Sequence, residues 1–177
     1  DAEIAIINKV VLGEKEFSQC PNLKFIGVTA TGYNVIDLAA AKTHGVTVSN
    51  VPTYGTSTVA QFTTALMLEL CNQVGLHNND VHAGGWGKKP DFCYWLKPML
   101  EVTGKNVGII GYGRIGQAFG AVAQALGMNV LAYDEHRNTA LENDRVRYVD
   151  LDTLYAEADV ISLHCLLTPK TQGDRKS

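Results

Sequence analysis

The chain has 177 residues, 46% hydrophobic and 19% charged, a balance that suits a folded globular chain and excludes disordered or fibrous classes. A formal charge of −3 with no Lys/Arg cluster leaves no electrostatic footprint for nucleic acid. No apolar run nears the roughly 18 residues of a membrane span. The four cysteines, Cys20, Cys71, Cys93 and Cys165, form no CxxC pair. No metal or dithiol site is therefore expected, and scattered thiols fit a reducing, cytoplasmic setting.

Residues 4–7 and 25–28 are too short for helices and rich in β-branched side chains, so both are expected as buried strands. Residues 35–42 follow as a helix stopped by Gly45, a natural residue just past a helix end. Residues 46–48 read as a third strand. Strand, helix, strand in this rhythm implies parallel βαβ units with right-handed crossovers. A turn-rich break at 52–58 leads into a long helix, about 57–82, with Ser57 or Thr58 as its N-cap. Its expected buried face is Val59, Phe62, Leu66 and Leu70. Residues 83–98, rich in Gly, Lys and aromatics, read as a loop outside the core. A second βα rhythm then places strands at 107–110, 130–133, near Tyr148 and at 160–163. The helix between the first two is expected to bury Ile115, Phe119, Val122 and Leu126.

Within that rhythm stands Gly111-Tyr112-Gly113-Arg114-Ile115-Gly116, a GxGxxG. Alone the pattern is weak, but here it leaves a strand and opens an amphipathic helix. The next strand ends in Asp134, 18 residues past Gly116 (134 − 116), close to the spacing of an acidic ribose ligand. Gly111 permits the tight turn, Gly113 lets the backbone approach a pyrophosphate, and Gly116 lets helix and strand pack closely. The helix N-terminus supplies unpaired N–H groups and the positive end of its dipole. Asp134 accepts from ribose hydroxyls and repels a 2′-phosphate, so NAD is expected over NADP; Arg137 nearby softens that repulsion.

Further stretches carry a family resemblance. Residues 24–34 (KFIGVTATGYN), 48–52 (VSNVP), 57–61 (STVAQ) and 108–116 (GIIGYGRIG) resemble D-isomer-specific 2-hydroxyacid dehydrogenases. Residues 160–165 (VISLHC) with 168–171 (TPKT) are similar to that family's later cofactor-lining segment, and 91–95 (DFCYW) resemble its glycerate dehydrogenase, or hydroxypyruvate reductase, branch. The resemblance runs to about Gly173. It implies a flavodoxin-like substrate domain, partial here (1–55), and a doubly wound Rossmann domain, incomplete at its C-terminal side (56–177), with the active site in the cleft between them. It implies hydride transfer between nicotinamide and a small D-2-hydroxy or 2-oxo acid, in a homodimer.

The resemblance assigns the substrate carboxylate to backbone amides of Ala30, Thr31 and Gly32. The cofactor falls to Gly111, Gly113, Arg114, Ile115, Gly116, Asp134, His164, Cys165 and Thr171. Turns of adjacent amides do make anion nests. His164 does not match the family's catalytic His, and a backbone or packing role is expected of it. Trp95 matches a segment that in relatives crosses a dimer. No residue matches the family's catalytic Arg, Glu and His, which lie beyond the point where this sequence stops. The chain is therefore expected to be truncated at both ends and inactive alone. The alternative reading is an NAD-binding module without chemistry, a pseudoenzyme or corepressor-like partner.

Two lesser motifs carry no function. Residues 82–89 lack the first Gly and the final Ser/Thr of a phosphate loop. Asp80 and His82, at i and i+2 on a helix, do not face each other.

Overall fold

The computed structural model describes residues 2–166. They form two compact units, the first ending at Gly55 and the second beginning at Thr56. In the first unit, β1 (Ile4–Ile7), β2 (Phe25–Val28) and β3 (Thr47–Asn50) make a parallel sheet in that order. Two short helices, α1 (Glu14–Gln19) and α2 (Leu38–Thr43), supply the crossovers. Phe17 of α1 and Ala40 and Ala41 of α2 pack with Ile26 and Val28, and Ala5 and Ile7 flank them. The other sheet face is left open among the described residues, and Ile4 and Ile6 are exposed there. The expectation of a buried first strand is thus half right: an all-apolar run does not say that only alternate side chains meet helices.

The α2 helix starts three residues later than its apolar pattern suggests. Asp37 accepts N–H bonds from Ala39 and Ala40, both at 3.0 Å, and this N-cap fixes the start. Val35 and Ile36 belong to the preceding turn and still pack into the core. Gly45, at φ +70°, follows the helix end as expected. The α1 helix is new; Gly13 donates its N–H to Glu16 Oε2 at 2.9 Å, closing its first turn.

The second unit is a four-stranded parallel sheet in the order β6-β5-β4-β7. Its strands are β4 (Asn106–Ile110), β5 (Asn129–Tyr133), β6 (Val146–Tyr148) and β7 (Val160–Leu163). This is the 3-2-1-4 part of the doubly wound order, and its topological switch point lies between β4 and β7. The crossover helices are α5 (Arg114–Ala125) and α6 (Leu151–Glu157). One face of the sheet packs Val107, Ile109, Val130 and Ala132 against Phe119 and Ala123 of α5. The other packs Ile110, Leu131 and Val149 against Leu154 of α6. Covering both faces is what parallel strands require. The α5 expectation needs correcting: Phe119 is fully buried, but its neighbours inside are Gly116, Gly120 and Ala123, while Val122 is exposed.

The expected long helix is two helices, α3 (Thr56–Asn72) and α4 (Val74–His82). They are broken at Gln73, whose φ of +51° lies in the left-handed region. The face of α3 is also corrected. Ala60, Met67 and Cys71 point inward, whereas Val59, Phe62, Leu66 and Leu70 are exposed, Phe62 by 64% and Leu70 by 77%. Residues 83–100 hold only a short 3-10 turn at Trp86–Lys88. They are fastened to α4 through His77, which accepts the Leu96 N–H at Nε2 (3.1 Å) and engages the Gln73 carbonyl at Nδ1 (2.8 Å). No helix among the described residues is long and apolar enough to cross a membrane.

Candidate functional site

The GxGxxG turn sits at the switch point. Gly111 leaves β4 at φ +93° and donates its N–H to the Tyr133 carbonyl at 2.8 Å. A Cβ on Gly111 would lie 2.5 Å from the Cys165 nitrogen and 2.6 Å from the His164 carbonyl carbon, backbone atoms that cannot yield. His164 donates its own N–H to the Ile110 carbonyl at 2.7 Å, which locks the exit of β7 over the turn. A Cβ on Gly116 would collide with the Gly111 carbonyl oxygen, so the helix descends onto the strand as glycine alone permits. Gly113 is different: it is exposed, and a Cβ there would meet nothing within 4 Å. The space above it is open to a ligand.

The α5 helix has no side-chain cap at its N-terminus. Its first intrahelical bond runs from the Gln117 N–H to the Gly113 carbonyl at 2.9 Å, so the amides of residues 113–116 precede the hydrogen-bonded ladder. Arg114 stands exposed in this first turn and Ile115 is half-buried. An uncapped helix start beside an open glycine turn offers donors and positive potential to an anion. The Gln117 side chain reaches back and donates Nε2–H to the Tyr112 carbonyl at 3.0 Å. Tyr112 points into the core, where its ring meets Tyr148 edge-on at 5.8 Å. Burial, with Tyr148 beside it, pushes the Tyr112 phenol up, so it stays neutral.

Asp134 follows directly on Tyr133, the residue that receives the Gly111 N–H, so the carboxylate lies at the same end of the sheet as the turn. Its Oδ1 accepts the His136 N–H at 2.9 Å, which fixes the carboxylate in a tight turn. The His164 ring is engaged with the protein: Nε2 meets Ser162 Oγ at 3.0 Å and the ring lies 5.8 Å from that of Phe119. Burial lowers its pKa from the ordinary imidazole value, favouring the neutral ring. Thr171 lies outside the described residues.

In the first unit, the 30–32 turn follows β2 with two of its carbonyls already occupied. The Ala30 carbonyl accepts the Val51 N–H at 3.1 Å and the Thr31 carbonyl accepts Asn50 Nδ2–H at 2.8 Å. The Thr31 hydroxyl donates to the Val51 carbonyl at 3.1 Å. Across a trans peptide the N–H points opposite to the C=O. The amides of Thr31 and Gly32 are therefore turned away from β3, and both residues are exposed. Asn50 and Gln117 were invisible as site residues in the sequence; the only signal was an amide side chain beside a turn.

Residues 64–174 match the family described as D-isomer specific 2-hydroxyacid dehydrogenase, NAD binding domain. The chain belongs to this family. It is 57% identical to a hydroxypyruvate reductase of Blautia hydrogenotrophica over 173 residues, 98% of this chain and 54% of that protein. It is 43% identical to a glycerate dehydrogenase of Methylorubrum extorquens, over 97% of this chain and 52% of that one. Among solved structures, a D-lactate dehydrogenase from Aquifex aeolicus, complexed with NAD and lactic acid, superposes with a TM-score of 0.84 at 31% identity. That match covers 97% of this chain and 50% of the other. The chain thus spans about half the length of the relatives it matches. It carries the NAD-binding domain of the D-2-hydroxyacid dehydrogenases, with the parallel α/β architecture expected of it.

Proposed function

We propose that the chain is the cofactor-binding part, with part of the substrate domain, of an NAD-dependent reductase of the glycerate/hydroxypyruvate type. The observation that carries this is the meeting of three features at one switch point. An open glycine, an uncapped helix start and the Asp134 carboxylate one strand over lie at the same sheet end. The glycine turn of 111–116 would hold the diphosphate, with Arg114 and Ile115 contributing first-turn amides and Arg114 its charge. Asp134 Oδ2 would receive the ribose hydroxyls. His164 and Cys165 would wall the crevice with their backbone, and Thr171 completes the proposed cofactor set. Bound in its reduced form, NADH, the cofactor would supply the hydride to the 2-oxo acid; this chain's residues bind and orient it. The amides of Thr31 and Gly32, with Ala30, would hold a 2-hydroxy or 2-oxo acid by its carboxylate.

The identity to a hydroxypyruvate reductase and a glycerate dehydrogenase supports a small three-carbon substrate, and gives no support to a partner module without chemistry. Residues 1–55 serve as the partial substrate domain and 56–177 as the cofactor domain. The exposed apolar stripe of α3 supports pairing with a second copy. Four free cysteines, none paired, suit a reducing cytoplasm. With the His164 ring held by Ser162 and Phe119, we expect these 177 residues alone to bind NADH without oxidising it in the presence of hydroxypyruvate.

Calorimetric titration tests the cofactor reading. NADH should bind at least about tenfold tighter than NADPH, the scale of a charge-assisted hydrogen bond gained against a charge repelled. Asp134→Ala should narrow that gap chiefly by weakening NADH. Equal affinity of the unmodified chain for the two cofactors would overturn the role given to Asp134.

A further inference from the structure

We infer that Gln117 is a positioning residue for the diphosphate site, setting the direction of the Tyr112–Gly113 peptide so that its N–H faces the ligand. The inference rests on the dinucleotide reading above and deepens it. Gln117 grips two successive carbonyls of the glycine turn: its backbone N–H takes the Gly113 oxygen at 2.9 Å, and its side-chain N–H takes the Tyr112 oxygen at 3.0 Å. The first bond is the ordinary start of any helix. The second belongs to this sequence, because only a donor of this length, in the first turn, reaches back five residues.

The consequence follows from peptide geometry. The peptide is trans and planar, so fixing the Tyr112 C=O on the Gln117 side fixes the Gly113 N–H on the opposite side. Gly113 has no side chain, its own Cβ direction is empty for 4 Å, and no cap residue anchors the helix start. A turn of this kind can rotate the peptide by small compensating changes in the flanking torsions. The rotated form would aim a carbonyl oxygen at an incoming diphosphate, replacing a donor by a partial negative charge. On the far side, Tyr112 is immobilised by its ring, wedged beneath Gly120, where a Cβ would fall 2.9 Å from the phenol oxygen, and packed on Tyr148. The ring anchors the residue; Gln117 chooses which way its carbonyl looks.

The test uses this chain with NADH, ADP-ribose and adenosine as probes. Gln117→Met keeps the side-chain length and removes the donor. NADH and ADP-ribose, which carry the diphosphate, should bind about three- to tenfold more weakly, the range for one lost hydrogen bond. Adenosine, which lacks it, should bind within about twofold of the unmodified chain, and the thermal midpoint should stay nearly unchanged. Amide NMR gives an independent reading: the Gly113 resonance should broaden or shift in Gln117→Met without ligand. Unchanged ADP-ribose affinity in Gln117→Met, or adenosine weakened by the same factor, overturns the inference. Failure of the unmodified chain to bind any of the three sinks the dinucleotide reading itself, a distinguishable result.

Discussion

Helices α3 and α5 pack against each other in the cofactor unit, and their sequences show similar apolar spacing, yet they differ in where their bulky apolar side chains go. The α5 helix turns Phe119 into the sheet with Gly116, Gly120 and Ala123 around it. The α3 helix turns Ala60, Met67 and Cys71 inward and leaves Val59, Phe62, Leu66 and Leu70 outside. The small residues of α5 serve its sheet side, where Gly116 lies on Ile109 and the Gly111 carbonyl and Gly120 lies on the Tyr112 ring. On α3 the small Ala60 and Cys71 flank Met67 in the same core, and the remaining bulky groups go where room is left. For α5 that is the sheet, and for α3 it is the surface. A helix with two apolar faces has its phase decided by residue size at the contact and not by where hydrophobicity is greatest.

The largest expected effect comes from exchanging the two phenylalanines for alanine. Phe119→Ala empties a fully buried site and should cost about 3–5 kcal/mol in urea denaturation. Phe62→Ala, measured at low protein concentration, should cost less than about 0.5 kcal/mol because its ring is mostly in water already. Similar losses for both would mean that the outward stripe of α3 is covered within one chain, and the contrast would collapse. The next effect sharpens the same point. If that stripe pairs two copies, Leu66→Glu with Leu70→Glu should weaken self-association at least about tenfold by sedimentation. NADH affinity should stay within twofold. A chain that sediments as a monomer before any change would defeat the pairing proposal.

The contrast also explains which parts of the fold were legible beforehand. Gly111 and Gly116 could be read because each meets a demand that only glycine satisfies, a positive φ at Gly111 and a close backbone approach at Gly116. Asp134 could be placed at its strand end from spacing alone. Strands such as β7 were legible from short β-branched runs. The turnover from α3 to α4 was not, because Gln73 takes a left-handed conformation with no compositional signature, unlike Gly or Asn. The late start of α2 was written in Asp37, but the apolar Val35 and Ile36 ahead of it masked the cap. Gln117 and Asn50 stayed hidden for a different reason. Each acts through a backbone carbonyl in a neighbouring turn, and a carbonyl leaves no trace in a sequence.

The smallest effect separates the two helices by pH. Phe119 of α5 carries the His164 ring against it, and Ser162 holds the ring's Nε2, so this half-buried imidazole belongs to the inward side of the unit. Burial lowers its pKa in the folded chain below the ordinary value of 6.5. A lowered folded pKa means that the unfolded chain binds the proton more readily. The neutral ring's contribution is therefore complete above about pH 6.5 and is lost as pH falls from there through the folded value. His164→Gln keeps a polar group near Ser162 and removes the titration. Denaturation curves from pH 7.5 downward should show the unmodified chain losing more stability than His164→Gln below pH 6.5, and the two running parallel above it. The outer stripe of α3 has no titrating group among Val59, Phe62, Leu66 and Leu70, so Phe62→Ala should leave that pH difference intact. If the two curves ran parallel throughout, the His164 ring would be no more restrained in the fold than in the open chain, and the packing assigned to it beside Phe119 would be lost.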